Sequence, residues 1–189
     1  KMEPLDLVSP VDMATAHFVM PEKVVVFEWA GGMGQAQIQI ANDEDFKSIV
    51  FEGTTDKNTF RWRPKNEGKV FWRVRASSNT ATQARALLVV EPKIELLEPR
   101  DKASYEYTTA GTLPMKFSWG DMSLDDQYVL EFANTPDFKK SVQQFSVSKP
   151  TFDWTFPMQS ETIYWRVKTA RQTTPVRMFT IYPKPVIAA

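Results

Sequence analysis

Cysteine is absent from the 189 residues, which excludes disulfide staples, thiolate metal sites and a cysteine nucleophile together. Stability must come from packing. An excess of either charge is lacking too, because 23 Lys and Arg face 23 Asp and Glu. With Pro92 as the divide, the first half carries 11 basic and 12 acidic residues and the second 12 and 11. Neither half is a basic arm for nucleic acid or an anionic membrane. The single histidine, His17, has no repeated acidic partner, whereas a general base needs an oriented one. It reads as a solvated loop residue. No apolar run approaches the roughly 20 residues of a membrane span, and no basic-then-apolar leader stands at Lys1. A chain that opens KMEPLDLVSP without an initiator Met is expected to be a fragment or a processed product.

What the chain does contain is a repeat. VFWRVRA at 70–76 returns as IYWRVKT at 163–169, VVVFEW at 24–29 as LPMKFSW at 113–119, and TFRW at 59–62 as TFDW at 151–154. IQIANDEDFKSIV at 38–50 answers LEFANTPDFKKSV at 130–142, and SP at 9–10 answers EP at 98–99. The six tryptophans therefore form three pairs: Trp29 with Trp119, Trp62 with Trp154, and Trp72 with Trp165. Residues shared by two otherwise divergent copies belong to what the copies have in common, and a fold is the simplest such thing.

The local pattern is β. Short runs of Val, Ile, Phe, Tyr, Trp and Thr alternate in polarity between AGGMG, EGTTDKN, NEGK and SSNTAT. Period-2 alternation puts Ala36, Ile38 and Ile40 on one face, with Gln35, Gln37 and Gln39 on the other. By the same rule Tyr128, Leu130 and Phe132 share a face, and Val70, Trp72, Val74 and Ala76 oppose Phe71, Arg73 and Arg75. About seven strands over roughly 90 residues per copy predict an all-β chain of two tandem antiparallel seven-stranded β-sandwiches. Their spans are 1–91 and 92–189. NDEDFKS and NTPDFKK predict one helical turn each, with Asn42 or Asn134 capping and Phe46 or Phe138 closing the turn onto the core.

A Trp in the second strand, QIQIA or YxLxFA in the third, and a penultimate strand ending WRVRA resemble the fibronectin type III domain, particularly divergent bacterial versions with a DxxF segment after the third strand. The resemblance covers almost all of both halves and implies a scaffold, not an activity. One departure is local: Val70 and Ile163 stand where that family often has the Tyr of a corner hydrogen bond.

Chemistry-bearing clusters are few. Asp43, Glu44 and Asp45 have the density of a calcium site, but NDED becomes NTPD in the second copy, which favours a capped turn. AGGMG lies between two strands, whereas a phosphate cradle needs a helix behind its glycines; a hairpin connection is expected. Phe60 with Trp62, and Phe152 with Trp154 and Phe156, alternate as inward core sets while Arg61 and Arg63 point outward. The candidate recognition face is the polar side of the first copy's larger sheet, where Gln37 and Gln39 would lie beside Arg73 and Arg75, with Arg85 contributed by the last strand. Guanidinium forks there suit carboxylates. In the second copy Glu131 would sit near Arg166 and Lys168.

These features predict a non-catalytic fragment without cofactor or metal, acting as a spacer or protein-interaction module. The connection EPKIELLEP at 91–99 has prolines flanking a strand-like run, so an elongated, semi-rigid rod is expected. The alternative is a carbohydrate or peptidoglycan module using the Gln/Arg face or the aromatics Phe18, Tyr105 and Tyr107. An extracytoplasmic location in the periplasm, cell envelope or medium is implied by the family resemblance alone.

Overall fold

Runs of β-branched and aromatic residues between turn-forming Gly, Asn and Pro become strands throughout the computed structural model. It describes residues 4–32, 34–76, 80–107, 112–121, 123–140, 142–157 and 161–183, and no α-helix occurs among them. The chain divides into two compact units, Lys1–Glu91 and Pro92–Ala189. The first contains β1 (Asp6–Ser9), β2 (Ala14–Thr15), β3 (Phe18–Val19), β4 (Val24–Ala30), β5 (Ala36–Ala41), β6 (Ile49–Thr55), β7 (Thr59–Trp62), β8 (Gly68–Ala76) and β9 (Arg85–Val89). The second contains β10 (Leu96–Glu98), β11 (Ala103–Tyr107), β12 (Thr112–Trp119), β13 (Tyr128–Ala133), β14 (Gln143–Val147), β15 (Thr151–Pro157), β16 (Glu161–Lys168) and β17 (Arg177–Pro183).

Each unit is two facing sheets. In the first, β4 pairs with β1 and β3 on one side and β7 on the other, and the second sheet runs β2-β9-β8-β5-β6. The second unit repeats this as β10-β12-β15 and β11-β17-β16-β13-β14. Counting the broken first strand once gives seven strand positions in the second unit and eight in the first, where the two-residue β3 is added beside β4. The ladders are antiparallel except where that first strand changes sheets: β2 runs parallel to β9, and β11 parallel to β17. The crossing is built alike in both copies. Met13 and Lys102 take left-handed backbones, each at φ 61°, while Asp12 accepts from Ala86 N–H at 2.8 Å and Asp101 from Met178 N–H at 3.0 Å.

The inward faces follow the alternation. Ile38, Ile40, Trp72, Val74 and Leu87 are fully buried in the first unit, as are Phe117, Leu130, Trp165, Val167 and Phe179 in the second. At each center a Trp of one sheet meets a Phe of the other, Phe27 with Trp72 at 4.8 Å and Phe117 with Trp165 at 5.2 Å between ring centroids. Trp29, Trp72, Trp119 and Trp165 all bury the indole N–H without an acceptor among the described residues. These rings are retained for bulk, not for hydrogen bonding. At the open side of each sandwich smaller ring clusters close the gap: Phe51 with Phe60 at 5.5 Å, and Phe145 with Trp154 at 4.5 Å. Gly53 makes room for the first, since a Cβ there would lie 2.6 Å from the Phe60 ring.

Two local expectations are corrected. AGGMG does not close a hairpin, because β4 and β5 belong to different sheets; left-handed Gly31, Gly32 and Gly34 swing the chain from one sheet to the other, with Met33 outside the described residues. NDEDFKS and NTPDFKK form turns without a helix, since Phe46 and Phe138 are themselves left-handed at φ 58° and 54°. The acceptor is Asp43 rather than Asn42: its carboxylate receives Lys47 N–H at 3.0 Å and Ser48 N–H at 2.6 Å. These two donors hold the Asp43 carboxyl below its ordinary pKa.

Since each unit has its own core, damage should stay local. Trp72→Ala is expected to cost the first unit about 3–5 kcal/mol and leave the second unit's transition in place, with Trp165→Ala doing the converse. Differential scanning calorimetry reads both, and a parental melting profile for either variant would refute the inward assignment.

Candidate recognition surface

Four of the five candidate residues share the outer face of the first unit's larger sheet. In the β5–β8 ladder Gln37 stands opposite Arg75 and Gln39 opposite Arg73, and directly opposed residues point the same way. Arg85 does not join them. It stands opposite Trp72 in the β8–β9 ladder, so it leaves the sheet on the inward side. From there its guanidinium reaches the end of β1, donating to the carbonyls of Leu7 at 2.6 Å and of Val8 and Pro10 at 3.1 Å. Arg177 repeats the clamp on Leu97 and Pro99. Arg85 holds the broken first strand.

On the outer face Gln39 is 3% exposed and engaged at both ends of its amide. Its Oε1 accepts from Arg73 Nε at 2.8 Å, and its Nε2 donates to Glu52 on β6. Arg73 is sandwiched as well, its guanidinium lying 3.9 Å from the center of the Phe46 ring. Phe46 is thus buried outside the main core, against the back of the sheet, which corrects its expected place. Burial, followed by the like charge of Arg75, lowers the Arg73 pKa against the opposing pull of Glu52.

The second unit builds the same array with two partners exchanged. Where the first has Gln39 and Glu52, the second has Glu131 and Gln144. Gln144 Nε2 donates to Glu131 at 2.6 Å, Arg166 Nε donates to the other carboxylate oxygen, and Lys168 Nζ lies 3.4 Å away. Arg166 covers the Phe138 ring at 4.0 Å. Burial pushes the Glu131 carboxyl up, but the Arg166 hydrogen bond, the charges of Arg166 and Lys168, and Gln144 outweigh it. The net shift is downward. The exchange is visible when the copies are aligned, although neither residue draws attention alone. One carboxylate per array is the shared quantity.

Phe18, Tyr105 and Tyr107, expected in loops, are strand residues packed against the two cores. His17 is exposed between β2 and β3. Among the described residues no group of acidic or histidine side chains is placed to hold a metal.

Two mainly antiparallel sheets facing each other across a core of buried rings and aliphatic side chains make each unit a β-sandwich. Both units are immunoglobulin/fibronectin type III-like sandwiches. No family profile and no curated protein matches the sequence. Among solved structures, a chimeric titin Z1Z2 functionalized with a decorin peptide matches at 10% identity and TM-score 0.46, over 98% of this chain and 100% of that one. The FN1–FN3 domains of chicken CNTN1 match at 11% and 0.35, over 95% and 64%. Dpr11 IG1 bound to DIP-gamma matches at 6% and 0.35, over 96% and 99%. No helix among the described residues of this immunoglobulin/fibronectin type III-like pair is long and apolar enough to cross a membrane.

The exchanged array makes two checks. Gln39→Glu alone sets a second carboxylate against Glu52 and should cost the first unit about 1–3 kcal/mol at neutral pH. Adding Glu52→Gln recreates the second unit's arrangement and should recover most of that loss in a urea double-mutant cycle; simple additivity would refute the array. For Glu131, a folded pKa below the unfolded value means its contribution is complete above the unfolded value and disappears as pH falls through the folded one. The stability deficit of Glu131→Gln should therefore close in acid, and a deficit independent of pH would refute the pairing.

Proposed function

We propose that the chain is a non-catalytic tandem sandwich acting as a semi-rigid spacer and protein-interaction unit of an extracytoplasmic protein. The observation that carries the spacer reading is the anchoring of the connection within each unit. Glu91, the last residue of the first unit, is 6% exposed, and its N–H donates to Glu67 Oε1 at 2.6 Å. At the start of the second unit, Gln172 takes hold of the chain with both ends of its amide. Its Nε2 donates to the Pro92 carbonyl at 2.9 Å, and its Oε1 accepts from Ile94 N–H at 3.0 Å. Ile94 and Leu96 then enter the second core. Anchored residues follow one another without a free segment of the kind that makes Gly/Ser linkers flexible.

The absence of a catalytic role is supported by how the polar side chains are used. Gln39 is held by Arg73 and Glu52, Glu131 by Arg166 and Gln144, and the Glu91 N–H by Glu67, so these buried polar groups serve packing contacts. The extracytoplasmic placement rests on the fibronectin type III resemblance.

Small-angle scattering of the 189-residue chain should return a narrow spread of inter-module angles, and Gln172→Ala should broaden it while both units keep their melting transitions. A broad spread for the parent would overturn the spacer reading.

A further inference from the structure

The first unit has a groove of about 530 Å³ between the edges of its two sheets. β6 is the last strand of one sheet and β7 of the other, each paired on one side only. The floor includes Trp62 and Phe51, and the rim carries Arg61, Arg63, Lys65 and Lys69, all exposed. Glu67 is the one acid among the lining residues, and it accepts from Glu91 N–H. Arg61 meets Glu22 at 3.6 Å with both side chains more than half exposed, a contact weak enough to yield to a ligand. Four cations around one aromatic floor, in a unit whose total charge is balanced, mark a local field that the composition conceals.

The second unit shows that the fold does not need this charge. Trp62 returns there as Trp154, but Arg61 becomes Asp153 and Arg63 becomes Thr155, and the stretch TFPMQS at 155–160 contains no Lys or Arg. Thr162 stands where the first copy has Lys69. The scaffold position is kept while these four cations are present in one copy only, so the shared fold does not require them.

We propose that this groove binds an extended acidic peptide segment of a protein partner. Its carboxylates would pair with the arginine and lysine rim through charge-assisted hydrogen bonds, and an apolar side chain would rest over Trp62 and Phe51. The free strand edges favor a peptide over an anionic saccharide, because an extended backbone can hydrogen-bond to an open edge strand. The proposal sharpens the protein-interaction part of the reading above and rests on it. Peptide binding and inter-module angles are separate measurements, so the spacer part can fail without it, and the reverse.

The test uses the whole chain and a fluorescein-labelled octapeptide of alternating Glu and Val, with the Gln/Val peptide and a sulfated heparin-type oligosaccharide as comparisons, read by fluorescence anisotropy. The Glu/Val peptide should bind and weaken with added salt. The double variant Arg61→Asp, Arg63→Thr, which installs the second copy's residues, should reduce its affinity by about tenfold or more. As a check independent of any variant, the Trp62 indole and Phe51 amide resonances of the parent should shift on titration with the Glu/Val peptide. Equal binding of the Gln/Val peptide, full binding by the folded variant, unmoved Trp62 and Phe51 signals, or binding of the oligosaccharide alone would each overturn the proposal.

Discussion

The contact between a tryptophan of one sheet and a phenylalanine of the other sets the geometry on which each unit depends. Phe27 on β4 and Trp72 on β8 lie 4.8 Å apart, as Phe117 and Trp165 do at 5.2 Å. With these rings at the center the two sheets have a fixed separation, and the alternating Ile, Leu and Val positions around them fill the remainder. Cysteine-free sandwiches have no covalent tie between sheets, so the large apolar area of these rings carries that task. The unsatisfied indole N–H groups are tolerated because the rings' area outweighs one neutral donor's desolvation.

A fixed inner face makes the outer face readable. Because Trp72 and Val74 point in, Arg73 and Arg75 must point out, and the left-handed residue at Phe46 folds the turn back so that its ring lies beneath Arg73. A guanidinium over a buried ring beside a buried amide is a small packing layer in its own right. It explains why Gln39 and Glu131 are nearly inaccessible although both sit on the solvent side of a sheet. The array also limits what that face offers to a ligand, since Gln39, Glu52 and Arg73 already satisfy one another.

Much of this was legible in the sequence, and the exceptions have physical causes. The repeat and the period-2 alternation identify the strands, and with them the inward tryptophans, because burial acts on side chains and leaves its period in the residue order. Arg85 was misplaced because its side depends on which residue of the neighboring strand it faces, and register is a property of the pairing rather than of either strand. AGGMG looked like a hairpin because glycine signals a turn without saying which sheet the chain enters next. The Asp43 turn resembled a helix start because the same side chains cap both; only the left-handed Phe46 separates the two. The Gln/Glu exchange between arrays was hidden because each residue alone resembles an ordinary solvated polar position.

Two copies of one scaffold also separate what the fold requires from what it merely permits. At the outer-face array the copies differ, yet the differences compensate: a carboxylate lost on β5 is regained on β6, so each array keeps one acid for its cations. At the groove the net charge itself changes: Arg61, opposite Val26, is replaced by Asp153, opposite Lys116, and Arg63 by Thr155, while the tryptophan between them is retained. Coupled change is the mark of groups in contact, whose energies are not additive. The shared fold accepts either sign of charge at this exposed edge, so a concentration of four cations there calls for an explanation in something the groove holds.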